Sequence, residues 1–155
     1  MIEIERKFLV TSQDFKKAAF KQSAIHQGYL STDPERTVRI RIVDQLAFLT
    51  VKGKGSLSGM SRFEWETEIP KKDAAELLKR CLSSPIVKKR YFVKHGVHVF
   101  EVDVFEGIHQ GLTIAEIELK SENEKVLLPN WIGKEVTGDK RYYNSFISSI
   151  DEKKS

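Results

Sequence analysis

Ile2-Glu3-Ile4-Glu5-Arg6-Lys7-Phe8-Leu9-Val10 sets Glu3, Glu5 and Lys7 on alternate positions, with Ile2, Ile4 and Phe8 between them. Alternate residues of a strand point to opposite faces, so one side of this segment is charged and the other apolar. The same period-2 pattern recurs at about 25–30, 36–43, 46–52, 61–69, 86–94, 97–105 and 113–120, which makes eight expected strands. Asp44-Gln45 and His95-Gly96 are short enough to be hairpin turns, so their flanking strands are expected to be antiparallel. Gly53-Lys54-Gly55-Ser56-Leu57-Ser58-Gly59 matches neither GxxxxGK[ST] nor GxGxxG, and reads as a flexible connection rather than a phosphate cradle.

Helical periodicity is confined to three stretches. Residues 71–83 align Ala74, Leu77, Leu78, Cys81 and Leu82 on one face, and 139–150 align Tyr142, Tyr143, Phe146, Ile147 and Ile150. The segment 12–22 is the third. Many antiparallel strands with few helices predict an α+β, mainly β domain, either a sheet or a closed barrel.

The chain's 155 residues, 40% hydrophobic and 31% charged, predict one globular domain over 1–150 and a polar tail at 151–155. Twenty-six Lys and Arg against 22 Asp and Glu leave +4, too small an excess to announce a nucleic-acid partner. The single Cys81 excludes an intramolecular disulfide and a Cys-rich zinc site, and its place in an apolar helical pattern predicts packing. With no apolar run near the ~20 residues of a membrane span and no signal peptide, a cytoplasmic location is expected.

The polar faces carry the functional information. Beside Glu3, Glu5 and Lys7, one strand aligns Arg39 with Arg41, and another Arg62, Glu64, Glu66 and Glu68. Further strands align Lys88 with Arg90, Glu101 with Asp103 and Glu116 with Glu118, and Lys52 closes its own strand. Any one pair fits a solvated face. Together they group acids with acids and bases with bases, and like charges across a ladder each cost up to about 1 kcal/mol. A bound ligand relieves such a cost. Eight carboxylates and seven cations converging in a barrel lumen suit a polyphosphate on the bases and hard divalent cations, Mg²⁺ or Mn²⁺, on the acids.

In this order the residues resemble the CYTH domain, the triphosphate tunnel metalloenzymes. Glu3-Ile4-Glu5-Arg6-Lys7 is similar to the ExExK signature. Arg39-x-Arg41, Lys52, Arg62-x-Glu64-x-Glu66, Lys88-x-Arg90, Asp103 and Glu116-x-Glu118 follow it, and Glu135 to Asn144 is similar to the small bacterial members. The resemblance implies an eight-stranded antiparallel tunnel with a charged lumen, short flanking helices and a C-terminal helix plugging one mouth. It implies that Lys7, Arg39, Arg41, Lys52, Lys88 and Arg90 hold a triphosphate, with Arg62 and Lys140 added to that set. Glu3, Glu5, Glu116 and Glu118, with Asp103, would hold the metals. Glu5, Glu64, Glu66 and Lys88 are the expected catalytic residues.

The reading that follows is a metal-dependent hydrolase splitting inorganic tripolyphosphate into pyrophosphate and phosphate. A short chain with a plugged mouth leaves little room for a base pocket. A class IV adenylate cyclase and a non-catalytic triphosphate or polyphosphate binder are the alternatives. The expected partner is a small-molecule triphosphate, with neither nucleic acid nor membrane, and oligomeric state is left open. His26, His95, His98 and His109 lack metal-ligand spacing, and Trp65 and Trp131 read as packing residues.

Overall fold

The computed structural model describes residues 1–150; the expected polar tail lies outside the described residues. Among the described residues there are nine strands: β1 (Ile2–Val10), β2 (Lys21–Ser31), β3 (Thr37–Val43), β4 (Leu46–Gly55), β5 (Ser61–Ile69), β6 (Ile86–His95), β7 (His98–Phe105), β8 (Thr113–Glu118) and β9 (Ile132–Glu135). The helices are α1 (Phe15–Ala18), α2 (Lys71–Leu78) and α3 (Asn144–Ile150).

The strand order β5-β4-β3-β2-β6-β7-β8-β1 closes through a β1–β5 pairing, giving an eight-stranded antiparallel barrel with β9 outside it. One edge of β1 runs along β8 from Glu5 to Leu9. The opposite edge is divided. Ile2, Glu3 and Ile4 face Phe63, Arg62 and Ser61 of β5, whereas Phe8 and Val10 face Glu135 and Ile132 of β9.

Two turns set the hairpins. Asp44-Gln45 joins β3 to β4 as expected; Asp44 sits at φ 54°, and its Oδ1 accepts the Ala24 N–H at 3.0 Å. The second turn is Gly96-Val97 rather than His95-Gly96, because His95 still pairs with His98. Gly96, at φ 62°, supplies the left-handed geometry that such a turn requires.

The three helical expectations are all shortened. Only Phe15–Ala18 of 12–22 is helical, since Lys21 already pairs with Phe92 and β2 takes the backbone into the sheet. α2 stops at Leu78, where two tight turns lead to the Leu82 N–H donated to the Tyr29 carbonyl. Residues 139–150 split into a 3₁₀ turn at Lys140–Tyr142, an extended Tyr143, and α3. Glycine loop 53–59 is also more ordered than expected: β4 runs through Gly55, and Ser56 donates to the Ser61 carbonyl at 2.7 Å.

A charged lumen pushes the apolar cores to the outside of the barrel. Phe8, Phe15, Tyr91, Phe100 and Trp131 pack in one cluster, with Phe15 edge-on to Tyr91 at 5.5 Å between ring centroids. α2 places Ala74 on Ile40 and Ala47; α3 places Ile147 on Ile86, Phe105 and Ile114. Cys81 packs in the α2 cluster as expected, and a side chain at Gly28 would meet its Sγ at 2.8 Å. Among the described residues, no helix is long and apolar enough to cross a membrane.

Candidate active site

Inward-facing positions of the strands enclose a cavity of about 290 Å³. Glu3, Glu5, Lys7, Arg39, Arg41, Lys52, Arg62, Glu64, Glu66, Lys88, Arg90, Glu116 and Glu118 all line it, so strand parity brings 13 of the predicted residues together. With Glu101, which also lines it, the barrel gathers seven cations and seven carboxylates from strands that are scattered along the sequence.

Most cations hold a carboxylate. Arg39 and Arg41 reach Glu66 at 3.5 and 3.6 Å, and Thr50 bridges the group, accepting from Arg39 at 3.2 Å and donating to Glu66 at 2.6 Å. Lys52 lies 2.8 Å from Glu3 and 3.3 Å from Glu64. Lys7 lies 3.8 Å from Glu116 and donates to the Tyr142 carbonyl at 3.3 Å. Lys88 contacts Asp103 at 2.7 Å and Asn144 Oδ1 at 3.0 Å. The Nε atoms of Arg39 and Arg41 are buried and have no hydrogen-bond partner. Buried donors of this kind are costly unless an acceptor arrives.

The acids crowd one another. Glu5 stands opposite Glu118, and Glu101 opposite Glu116, in like-charge cross-strand pairs. Burial, then the neighbouring Glu116 and Glu3, pushes the Glu5 carboxyl up to about 8. Burial also raises Glu64, Glu101 and Glu118, the last assisted by Glu3 and Glu101. In Glu116 burial is overridden by Lys7 and Arg90, which hold the carboxyl down at about 2. Arg41 is lowered to about 10 by burial and by Arg39 and Arg90, and Lys88 to about 8 by burial against the pull of Asp103.

These carboxylates fit a hard divalent cation by donor chemistry: oxygen-only ligands, crowded, with Glu5 retaining a proton that a cation would replace. Among the described residues no three of them are already drawn together as a ligand set. Lys52 on Glu3 and Lys7 beside Glu116 occupy those oxygens instead.

Two predicted residues fall elsewhere. Asp103 shares a face with Glu101 but does not line the cavity; it is 1% exposed and held by both Arg90, at 2.7 and 2.9 Å, and Lys88. Both of its carboxylate oxygens are already paired, Oδ1 with Arg90 and Oδ2 with Arg90 and Lys88. Lys140 lines an adjoining cavity, because the 3₁₀ turn replaces the expected helix. Conversely, the sequence analysis gave no role to Tyr29, Thr37, Tyr143, Asn144 and Ser145, which also line the tunnel. They are uncharged, and no charge pattern marks them. The C-terminal segment does meet the lumen, with Tyr143 lying 5.2 Å from Lys7 and 5.8 Å from Arg62.

The family model for the CYTH domain matches residues 1–146. A protein named inorganic triphosphatase from Acetivibrio thermocellus is 44% identical over 144 residues, covering 92% of this chain and 90% of that protein. One from Nitrosomonas europaea, with the same name, is 36% identical over 153 residues, covering 96% and 97%. A crystal structure of an inorganic triphosphatase superposes with TM-score 0.63 and 33% identity, over 94% of this chain and 93% of that one. A Hippeastrum protein described as a candidate adenylyl cyclase that reveals a dominant triphosphatase activity shares the fold at TM-score 0.61, with 18% identity over 77% of this chain and 80% of that one. A match across nearly the whole chain, on a closed barrel whose lumen carries the charges its sequence motifs anticipate, makes this chain a member of the CYTH domain family.

Proposed function

We propose that the chain is a divalent-metal-dependent triphosphatase that cleaves inorganic tripolyphosphate to pyrophosphate and phosphate inside the barrel. The carrying observation is the pair of buried, unpartnered Nε donors on Arg39 and Arg41, set in a lumen of seven cations. Unsatisfied guanidinium donors in a closed space call for a polyanion, and guanidinium geometry matches phosphate oxygens. The naming of two relatives over 90% of this chain supports the choice of substrate.

In this reading Arg39, Arg41, Lys52 and Arg90 hold the phosphate chain, with Lys7, Lys88 and Arg62 completing the basic wall. Their charge stabilises the phosphoryl oxygens as the anhydride bond breaks. Glu3, Glu5, Glu116 and Glu118 would hold Mg²⁺ or Mn²⁺, which supplies charge neutralisation and a lowered pKa for attacking water. Asp103 keeps Arg90 and Lys88 aimed. Glu64 and Glu66 steer Lys52 and the two arginines, and are placed to orient water. Diphosphate is selected against because it would leave part of the basic wall unpaired. The reading includes a cytoplasmic location and neither a nucleic-acid nor a membrane partner.

The test is phosphate release from tripolyphosphate, ATP, thiamine triphosphate and pyrophosphate with Mg²⁺ or Mn²⁺, against a chelator control, with cyclic AMP assayed in the ATP reactions. Metal-dependent release strongest from tripolyphosphate is expected. Cyclic AMP formation would move the chain to the cyclase branch, and saturable binding without turnover would leave a triphosphate-binding protein.

A further inference from the structure

Toward α3 the inner face of the barrel turns from charged to apolar. Ile86, Phe105 and Ile114 stand two residues from Lys88, Asp103 and Glu116 on their strands, and Ile147 of α3 packs on them. Polar side chains meet at this boundary. In the β2–β6 ladder Gln27 stands opposite Ile86 and Lys88 opposite Ile25, which makes Gln27 and Lys88 diagonal neighbours. They are 0% and 2% exposed. Asn144, the first residue of α3, joins them: its Oδ1 accepts from Gln27 Nε2 at 3.1 Å and from Lys88 Nζ at 3.0 Å.

An ammonium has three N–H donors and no acceptor, so the oxygen of the Asn144 amide is the atom that faces Lys88. Lys88 gives a second donor to Asp103 Oδ2 at 2.7 Å, and its Nζ lies 5.3 Å from the Phe105 ring centroid. A single anchor would let the ammonium turn about that one bond. Two anchors fix the direction of the third N–H, which is left for a ligand, since Lys88 and Asn144 both line the tunnel. Asp103 is moreover a shared anchor, because Arg90 donates to both of its oxygens. Gln27 completes the arrangement from behind. Among the described residues its side chain makes one hydrogen bond, the one to Asn144, and its Oε1 is buried without a partner. A buried amide held so sparsely is a cost to the fold, and the bond it keeps stops Asn144 from turning away from Lys88.

We propose that Asn144 is a positioning residue which, backed by Gln27, aims the Lys88 ammonium at a phosphate oxygen of the substrate. The assignment rests on the triphosphatase reading for what that substrate is. It gives the C-terminal segment work inside the tunnel: the packing of Ile147 seats α3, the seat places Asn144, and Asn144 sets Lys88. Asn144 acts through Lys88 and adds no charge, so it sharpens the direction of a donor without deepening the positive potential of the lumen.

Tripolyphosphate binding is read by calorimetry in chelator, on the full chain, in a double-mutant cycle of Asn144→Ala and Lys88→Met. Asn144→Ala is expected to weaken binding about tenfold, the worth of one hydrogen bond to a charged group, and to have no further effect where Lys88 is already Met. Gln27→Leu leaves α3 untouched and carries the test if Asn144→Ala does not fold. It should weaken binding by a smaller factor, again only while Lys88 is present. Unchanged affinity in both single variants overturns the proposal. So does an equal loss with and without Lys88, which would give Asn144 an action of its own on the substrate or on the fold. Tripolyphosphate turnover with Mg²⁺ is measured separately. No turnover with the coupling to Lys88 intact would retire the hydrolase reading and leave the positioning residue, whereas turnover with an additive cycle would retire the positioning residue alone.

Discussion

Glu5 on β1 lies directly across the ladder from Glu118 on β8, two carboxylates paired side by side in the wall of a closed barrel. The arrangement is unfavourable to the empty fold, and burial with Glu116 makes Glu5 hold its proton to about pH 8. Replacing Glu5 with Gln should therefore separate function from stability. The variant loses about 100-fold or more of metal-dependent tripolyphosphate turnover, since even outer partners of metal ligands are worth 10–100-fold. Its metal-free melting temperature at about pH 8 equals or exceeds that of the wild type. Wild-type turnover in this variant would remove Glu5 from the metal set.

The same carboxyl sets a pH dependence. An unfolded Glu ionises near 4.5, whereas folded Glu5 does so at about 8. Between those values the unfolded chain has lost a proton that the fold retains, so metal-free stability falls as pH rises through this window. Glu64, Glu101 and Glu118 are raised and act in the same direction. Glu116 and Asp103 are lowered, and their share is complete above the ordinary carboxylate range and lost only in acid. A divalent cation competes with the Glu5 proton, so the Mg²⁺-induced rise in melting temperature should be larger at about pH 9 than at about pH 6. Thermal melts with and without Mg²⁺ at the two pH values check this, and a rise independent of pH counts against it.

Asp103 should behave as scaffold. Asp103→Asn leaves Arg90 and Lys88 buried beside a neutral partner and breaks a buried ion pair, at a cost of about 3–5 kcal/mol. Its Mg²⁺ affinity should nevertheless fall less than that of Glu116→Gln. Urea unfolding with Mg²⁺ titration of the two variants reads both quantities; the reverse order would return Asp103 to the metal set.

Gly59 and Gly111 both have positive φ, 76° and 100°, but only Gly59 is also pressed against backbone. An alanine at Gly111 meets nothing within 4 Å and should cost only the backbone strain, about 1–3 kcal/mol. Gly59→Ala carries the same strain and a clash with Gly138, so it should be the less stable of the two by thermal melting. Equal losses would mean that the 56–60 turn yields to make room.

The barrel staves were legible because a closed sheet with a polar lumen repeats one rule, alternation, along every strand. The faces of Glu3, Arg39, Glu64, Arg90 and Glu116 followed from parity alone. Depth did not. Glu101 and Asp103 share a face, yet one lines the cavity while the other is sealed behind Arg90, and parity carries no information about position along the barrel axis. β9 was not anticipated because four residues containing Gly133 are too short to show a period. Helical periodicity at 12–22 lost to the β6 edge, which takes Lys21 into pairing. Tyr29, Tyr143 and Asn144 had no charge to single them out, and the last two meet the lumen only because the C-terminal segment folds onto it.

The divided edge of β1 bears on how the molecule is made. In synthesis β1 precedes all of its partners, with one side waiting for Ser61–Phe63 and for Ile132–Glu135, and its other side waiting for Ile114–Glu118. Closure is thus postponed until the chain has emerged through Glu118, and such distant pairings are slow to nucleate. During that interval a nascent chain carries an open seam with unpaired backbone on β1, the interval in which a chaperone or a neighbouring nascent chain would find it.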